Sequence, residues 1–399
     1  MELRVALVLL ASILAVACTP TRHYQTEPTP RSDAHGVIKG GIAAELRPTG
    51  CVLANREVAV VEFDDYGNLF NRTQLNCAVD GVAGAARAGA VVLVYVHGWH
   101  HSARTTEDSF DDLNKFRTFV AQFAGRSAET QSLSQAPGQE VPVVGVFVGW
   151  RGDSIESSGI TMPLSYALTF WDRKAAAQNI GNSGGVTELF FRLEQVRTNF
   201  DSTGTKLVAI GHSFGGALLY SALSARLLDQ ALADQLSFAA SQGAPQEPQT
   251  RRFSPDVLVL VNPAIEAMRF KPYLDLVRRW PHGKGTPPRL IIATSSADWA
   301  TGYAFPIGRT LSTTFASYSD PSDAAVNKTA IGHYDPFVTH QLVVDAKGCP
   351  NPKMLVGPDL VQASSNPLCV SSPDEDSGSV GAPMATPNRP TCGRSNCSR

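Results

Sequence analysis

Lys206-Leu207-Val208-Ala209-Ile210-Gly211-His212-Ser213-Phe214-Gly215-Gly216-Ala217-Leu218-Leu219-Tyr220 reads as a strand, a tight turn and a helix in one short stretch. The apolar run to Ile210 is the strand, and Gly216 to Leu223 has the composition of a helix. Between them stands Gly211-His212-Ser213-Phe214-Gly215, a G-x-S-x-G motif. Glycines let the backbone turn sharply without a Cβ clash. A serine at the apex is pushed clear of the sheet, with a helix N-terminus behind it that favours developing negative charge. That is the context in which this motif exposes a nucleophile.

Working outward, the same alternation repeats. Val58 to Phe63 reads as a strand, Asp64-Asp65-Tyr66-Gly67-Asn68 as a turn, and a second strand is expected after it, so that a β-hairpin opens the sheet. Val91–Val96 is a near-continuous apolar strand, followed by a loop and a helix around Asp108 to Phe123. Val141 to Val148 is the next strand, with a long helical region from Leu164 to Thr198. Leu207 to Ile210, Val257 to Val261 and Leu290 to Thr294 complete the set. Buried apolar strands alternating with helices predict an α/β fold, a mostly parallel sheet with helices on both faces.

A serine hydroxyl needs a base within hydrogen-bond reach and an acid to orient that base. In strand–elbow–helix enzymes the chain order is Ser, then Asp or Glu, then His. Three histidines follow Ser213: His282, His333 and His340. His282 comes before the fifth strand, and His340 falls inside the expected last helix. His333, in Ile331-Gly332-His333-Tyr334-Asp335-Pro336, opens that helix and is the expected base. The acid belongs in a loop just past a strand's carboxyl end. Asp298, in Ser295-Ser296-Ala297-Asp298-Trp299 after the fifth strand, meets that condition, while Glu266 comes late in its loop and Asp335 is too close to His333. Asp298 in such a loop is otherwise a helix cap or turn residue. Two backbone amides are expected to hold the oxyanion, that of Phe214 after the nucleophile and that of Trp99 in His97-Gly98-Trp99 at the end of an early strand.

These residues together resemble the α/β-hydrolase superfamily, and the look is closest to bacterial esterase- and lipase-like members. Gly149-Trp150-Arg151-Gly152 and Asn262-Pro263-Ala264 are also similar to segments in such proteins. The resemblance covers Val58 to Leu342. It implies cofactor-free hydrolysis of carboxylic esters through an acyl-enzyme on Ser213, with Asp298 and His333 as its partners. Acyltransferases use the same residues, and a noncatalytic binding lipoprotein on this fold is a further reading. The segment Asp153 to Gly185, with Pro163, Leu164, Tyr166, Leu168, Phe170 and Trp171, reads equally as a cap over an acyl pocket and as a core helix face. His100 and His101 have no local carboxylate to complete a zinc site, so no metal is expected.

The chain has 399 residues, 34 Lys and Arg against 36 Asp and Glu, and a net charge of −2. That balance speaks against nucleic acid as a partner and gives no reason to expect a strongly charged substrate. Arg4 and the apolar run Val5 to Val16 read as a secretory signal, too short to be a comfortable membrane span. Leu14-Ala15-Val16-Ala17-Cys18 resembles a bacterial lipobox, which implies lipidation of Cys18 and an outer-membrane lipoprotein; the same small residues also suit ordinary cleavage to a periplasmic or secreted protein. The expected organisation is a signal over 1–17, a flexible tether over 18–50, the catalytic domain over 51–346, and a largely disordered tail over 347–399. The substrate expected is a small-molecule or lipid ester; the oligomeric state is not encoded. Beyond Cys18 six cysteines remain, an even number that suits an oxidising compartment, and the sequence-local pairs are Cys51–Cys77, Cys349–Cys369 and Cys392–Cys397.

Overall fold

The computed structural model describes residues 21–26, 50–105, 111–133, 141–153, 162–240, 255–278, 288–318, 320–343 and 369–371. The segment to His333 and that from Tyr334 are two compact units.

The first unit is built on six strands: β1 (Val58–Glu62), β2 (Val91–Val96), β3 (Val143–Gly149), β4 (Lys206–His212), β5 (Val257–Val261) and β6 (Leu290–Ala293). Their order is β1-β3-β2-β4-β5-β6, and every neighbouring pair runs parallel. Every residue of β1 and β3 is buried. Successive strand residues point to opposite faces, so both faces of that half of the sheet are covered. The mostly parallel α/β class expected from the apolar runs is thus present. One covered face is an aromatic cluster in which Phe116 and Phe147 pack with Val58, Val60, Leu93 and Leu113.

The helices are α1 (Arg72–Ala86), α2 (Asp112–Leu133), α3 (Met162–Gly181), α4 (Gly184–Asn199), α5 (Phe214–Ala240), α6 (Ala267–Arg278), α7 (Phe305–Ser312) and α8 (Pro321–Lys328). Strand order decides where a site can form. From β2 the chain turns back to β3, while from β4 it goes on to β5. The connections leaving these two adjacent strands therefore diverge, which opens a crevice at their carboxyl ends. His97-Gly98-Trp99 follows β2 and Ser213 follows β4.

Three expectations need correction. The opening hairpin is absent among the described residues: β1 pairs with β3, and in place of a second strand there is only an isolated Phe63–Leu69 bridge. The reason is Asn71, whose side chain accepts the Thr73 amide at 2.9 Å and starts helix α1. The region expected as one long helix is α3 and α4, broken at Asn182-Ser183. A Cβ on Gly181 would stand 2.3 Å from Leu218 O, so α3 ends flush against α5. No α-helix follows His333 among the described residues. In the second unit Asp335–Phe337 is a 3₁₀ turn, and β7 (Gln341–Val343) pairs antiparallel with β8 (Cys369–Ser371). His340 precedes β7, and β8 lies within the stretch expected to be largely disordered.

Cys51 and Cys77 form a disulfide that ties the entry of the domain to α1. Cys349, Cys392 and Cys397 lie outside the described residues, and of Cys369 only the backbone is described. Within the stretch expected as a tether, Tyr24 and Gln25 donate their amides to the buried carboxylate of Glu62 at 3.0 and 2.8 Å. Gln25 also bonds Ala103 O and accepts from Gln74. No helix of the described residues is long and apolar enough to cross a membrane.

Candidate active site

Ser213 adopts φ of +53°, a left-handed conformation that costs an L-residue on the order of 1 kcal/mol. Its amide donates to Val261 O at 2.9 Å, and its carbonyl accepts from Ala217 and Ala264. The turn is made at the serine, not at the flanking glycines, which carry no positive φ. Those glycines are needed for close approach. A Cβ on Gly215 would stand 2.2 Å from Val96 O and 2.4 Å from His97 O. One on Gly211 would stand 2.7 Å from Gly215 O. Helix α5 can therefore start hard against the ends of β2 and β4, with the buried Phe214 at its first position.

Gly98 faces the serine: a Cβ there would lie 3.1 Å from Ser213 Cβ and 3.0 Å from His212 Nδ1. His97 is fully buried, and burial pushes its pKa down to about 4, so the ring is neutral. Its Nε2 takes the Trp150 amide N–H at 3.1 Å and must be the acceptor there. Nδ1 therefore carries the proton and donates to Gly98 O at 2.9 Å. A trans peptide points its N–H opposite to its C=O, so the bond from His97 fixes the direction of the Trp99 amide. Trp150 stacks on His97, nearly parallel with ring centroids 5.5 Å apart, and donates its indole N–H to His97 O at 3.1 Å. Burial also lowers the pKa of His212.

The candidate acid and base come from the far edge of the sheet. Asp298 follows β6, and its carboxylate accepts the Thr301 amide at 3.3 Å and the Thr301 hydroxyl. Thr301 Oγ1 in turn meets His333 Nε2 at 2.9 Å. The single hydroxyl proton goes to the carboxylate, so Oγ1 accepts from Nε2–H. The arrangement is a chain, Asp298–Thr301–His333. Asp298 therefore fills its expected capping role and also reaches the histidine, with Thr301 interposed. Sequence reasoning missed Thr301; the signal was its place three residues after Asp298, the spacing of a capping bond. Among the described residues, no hydrogen bond joins Ser213 Oγ to His333.

His333 is carried towards the elbow by main-chain ties. The Ile331 amide donates to Ile265 O at 2.9 Å, and Glu266 bridges Ala330. Ile265 follows Ala264, whose amide holds Ser213 O. Beneath this strap lies a buried ion group. Lys174 on α3 meets Glu266 at 2.5 Å, and Arg309 on α7 meets it at 3.2 Å. Burial pushes the Glu266 carboxyl up, yet the two cations outweigh it and hold it below the usual range. Glu266, set aside as a catalytic acid, thus anchors three elements around the base.

The Trp99 ring stacks on His100 and meets Phe170 edge-on at 5.2 Å, and Phe170 meets Phe214 at 4.9 Å. Phe170, Ala177 and Ile180 are buried, so the described side chains of α3 form a core face beside Trp99 and Phe214. His100 pairs with Asp153 at 2.9 Å and His101 with Asp112 at 3.4 Å. Among the described residues, no group of three or more His, Cys, Asp or Glu is placed to hold a metal. Cys18 lies outside the described residues. In comparisons with known proteins, no family model and no curated protein matches this chain.

Proposed function

We propose that the chain is a serine hydrolase of carboxylic esters with an α/β-hydrolase fold. The observation that carries this reading is Ser213 in left-handed backbone at the β4–α5 junction, in the crevice where the β2 and β4 connections diverge, with Gly98 packed on its Cβ.

In this reading Ser213 Oγ attacks the ester carbonyl. With Nε2–H turned to Thr301, Nδ1 of His333 is the nitrogen that takes the serine proton and returns it to the leaving alcohol. The resulting imidazolium is stabilised by the Asp298 charge, relayed through the Thr301 hydroxyl. Amides of Trp99 and Phe214 hold the oxyanion, each such donor contributing about 3 kcal/mol in the transition state. Water activated by His333 then cleaves the acyl-enzyme. No resident cofactor is required.

We propose further that the chain is exported and anchored through a lipidated Cys18. Activity is tested with a fluorophosphonate probe and a series of p-nitrophenyl esters of increasing chain length. Labelling and turnover that vanish in Ser213→Ala support the proposal; equal labelling of that variant ends it.

A further inference from the structure

The turn that carries Thr301 inward carries a different set of side chains outward. Trp299, Tyr303, Ile307, Leu311 and Phe315 are 67, 64, 62, 72 and 101 % exposed. They recur every fourth residue along the π-turn Ala300–Ala304, helix α7 and the turn that follows. The opposite face is packed. Phe305 is fully buried, a Cβ on Gly308 would stand 2.3 Å from the Trp171 ring, and Arg309 reaches Glu266. From Trp299 to Tyr318 Arg309 is the only formally charged residue, and it points to that inner face. A helix facing water normally carries charge on its outer side. This one carries Trp and Tyr with Ile, Leu and Phe, the composition of a helix at a lipid–water interface.

The other edge of the sheet says what covers this face. Tyr24 and Gln25 are pinned to Glu62 at the carboxyl end of β1. Cys18 stands four residues before Arg22, a reach of at most about 14 Å. A lipid anchor on Cys18, as proposed above, would hold the carboxyl rim of the sheet close to the bilayer. Arg22, over the Tyr24 ring at 5.1 Å, and exposed Arg104 place positive charge at that edge, complementary to anionic headgroups. β1 and β6 are the two edge strands, about 24 Å apart across the sheet, and Ser213 lies between them on the same rim.

We propose that the outward face from Trp299 to Phe315 is a lipid-docking surface. With the Cys18 anchor it seats the mouth of the site on the membrane, so that the ester cleaved is a membrane lipid. This rests on the hydrolase and lipid-anchor readings above, and the test separates them.

The mature chain is bound to vesicles of phosphatidylethanolamine and phosphatidylglycerol containing brominated lipid. Wild type, Trp299→Tyr, Ile307→Glu/Leu311→Glu and the milder Ile307→Ser/Leu311→Ser are compared by tryptophan quenching. Hydrolysis is followed on a diacyl ester in the vesicles and on p-nitrophenyl butyrate in solution. Quenching in the wild type that is lost in Trp299→Tyr, with vesicle hydrolysis falling about tenfold in both double variants while the soluble ester is cleaved within about twofold of normal, supports the proposal. Quenching and vesicle hydrolysis unchanged in the double variants overturn it. So does a wild-type dimer that the substitutions split without altering vesicle binding, because a second copy then covers the face. If neither ester is cleaved but quenching still depends on the stripe, the hydrolase reading fails and the lipid surface stands. Mass spectrometry of the N-terminus tests the acyl anchor independently.

Discussion

The two halves of the candidate site are built differently. The half that holds the candidate nucleophile and oxyanion amides lies between the central strands β2 and β4, and it is made of backbone held by burial. His97 and Phe214 are fully buried, Gly211 and Gly215 leave no room for a Cβ, and Gly98 leaves only a tight one. The acid and base half lies past the edge strand β6. It is made of side chains on short turns, tied by Thr301 and by the Glu266 strap. In the proposed reaction centre and edge would divide the labour: the centre fixes directions that must not move, and the edge supplies the groups that would exchange protons. Substitutions in the buried backbone of the centre should therefore cost stability along with activity, whereas those at Ser213 itself and in the turns at the edge should cost mainly activity.

The largest effect expected is from Ser213→Ala, which should lower kcat by at least about 10⁴ with the fold intact. Residual turnover within a factor of ten of wild type would remove the serine from the chemistry and dissolve the comparison.

The second concerns pH. His97 has a pKa of about 4 when folded, against 6.5 for an ordinary histidine. Between those values the unfolded chain binds a proton that the folded one refuses. Stability should then fall as pH drops from 6.5 to 4, by about 3 kcal/mol in all. His212, also depressed by burial, adds in the same sense. Urea unfolding across this range should show the slope, and His97→Asn should flatten it. A wild-type curve flat from pH 6.5 to 4 would mean that His97 is not buried neutral.

A pair of glycine substitutions sharpens the contrast. Gly215→Ala should cost about 3 kcal/mol, because backbone oxygens of β2 and His97 block the new methyl. Gly302→Ala, whose Cβ would stand 3.3 Å from His333 Cε1, should leave the melting temperature nearly unchanged while lowering kcat. Equal losses of stability would erase the distinction between centre and edge.

The smallest expected effect is at Thr301. Thr301→Val should lower kcat by about 10²-fold, within the range of one acid–base contribution, while Thr301→Ser should retain most activity. A Val variant as active as wild type would show that Asp298 reaches His333 without the hydroxyl.

The strands were legible because parallel strands flanked by helices write themselves as continuous Val, Ile and Leu. Val91–Val96 and Val257–Val261 have the expected bounds. The elbow was legible for a related reason, since strand, turn and helix N-terminus are contiguous in sequence. Helix α1 was not, because a turn after an apolar strand reads equally as a hairpin until the Asn71 cap is weighed. Thr301 and Glu266 were hidden for another reason. Their roles depend on partners far along the chain, at His333 for one and at Lys174 and Arg309 for the other.

By itself, then, the sequence determined the α/β alternation, the serine at the strand–helix turn and the order in which candidate partners follow it. Those are local properties, set by side-chain periodicity and by which residues tolerate a tight turn. Only the tertiary structure decided that β2 and β4 lie side by side, that His97 aims the Trp99 amide, that Thr301 stands between Asp298 and His333, and that Tyr24 and Gln25 dock on Glu62 at the rim. Each of these needs groups distant in sequence to satisfy one another's hydrogen bonds and charges in a buried place, and no short stretch of the chain carries that information.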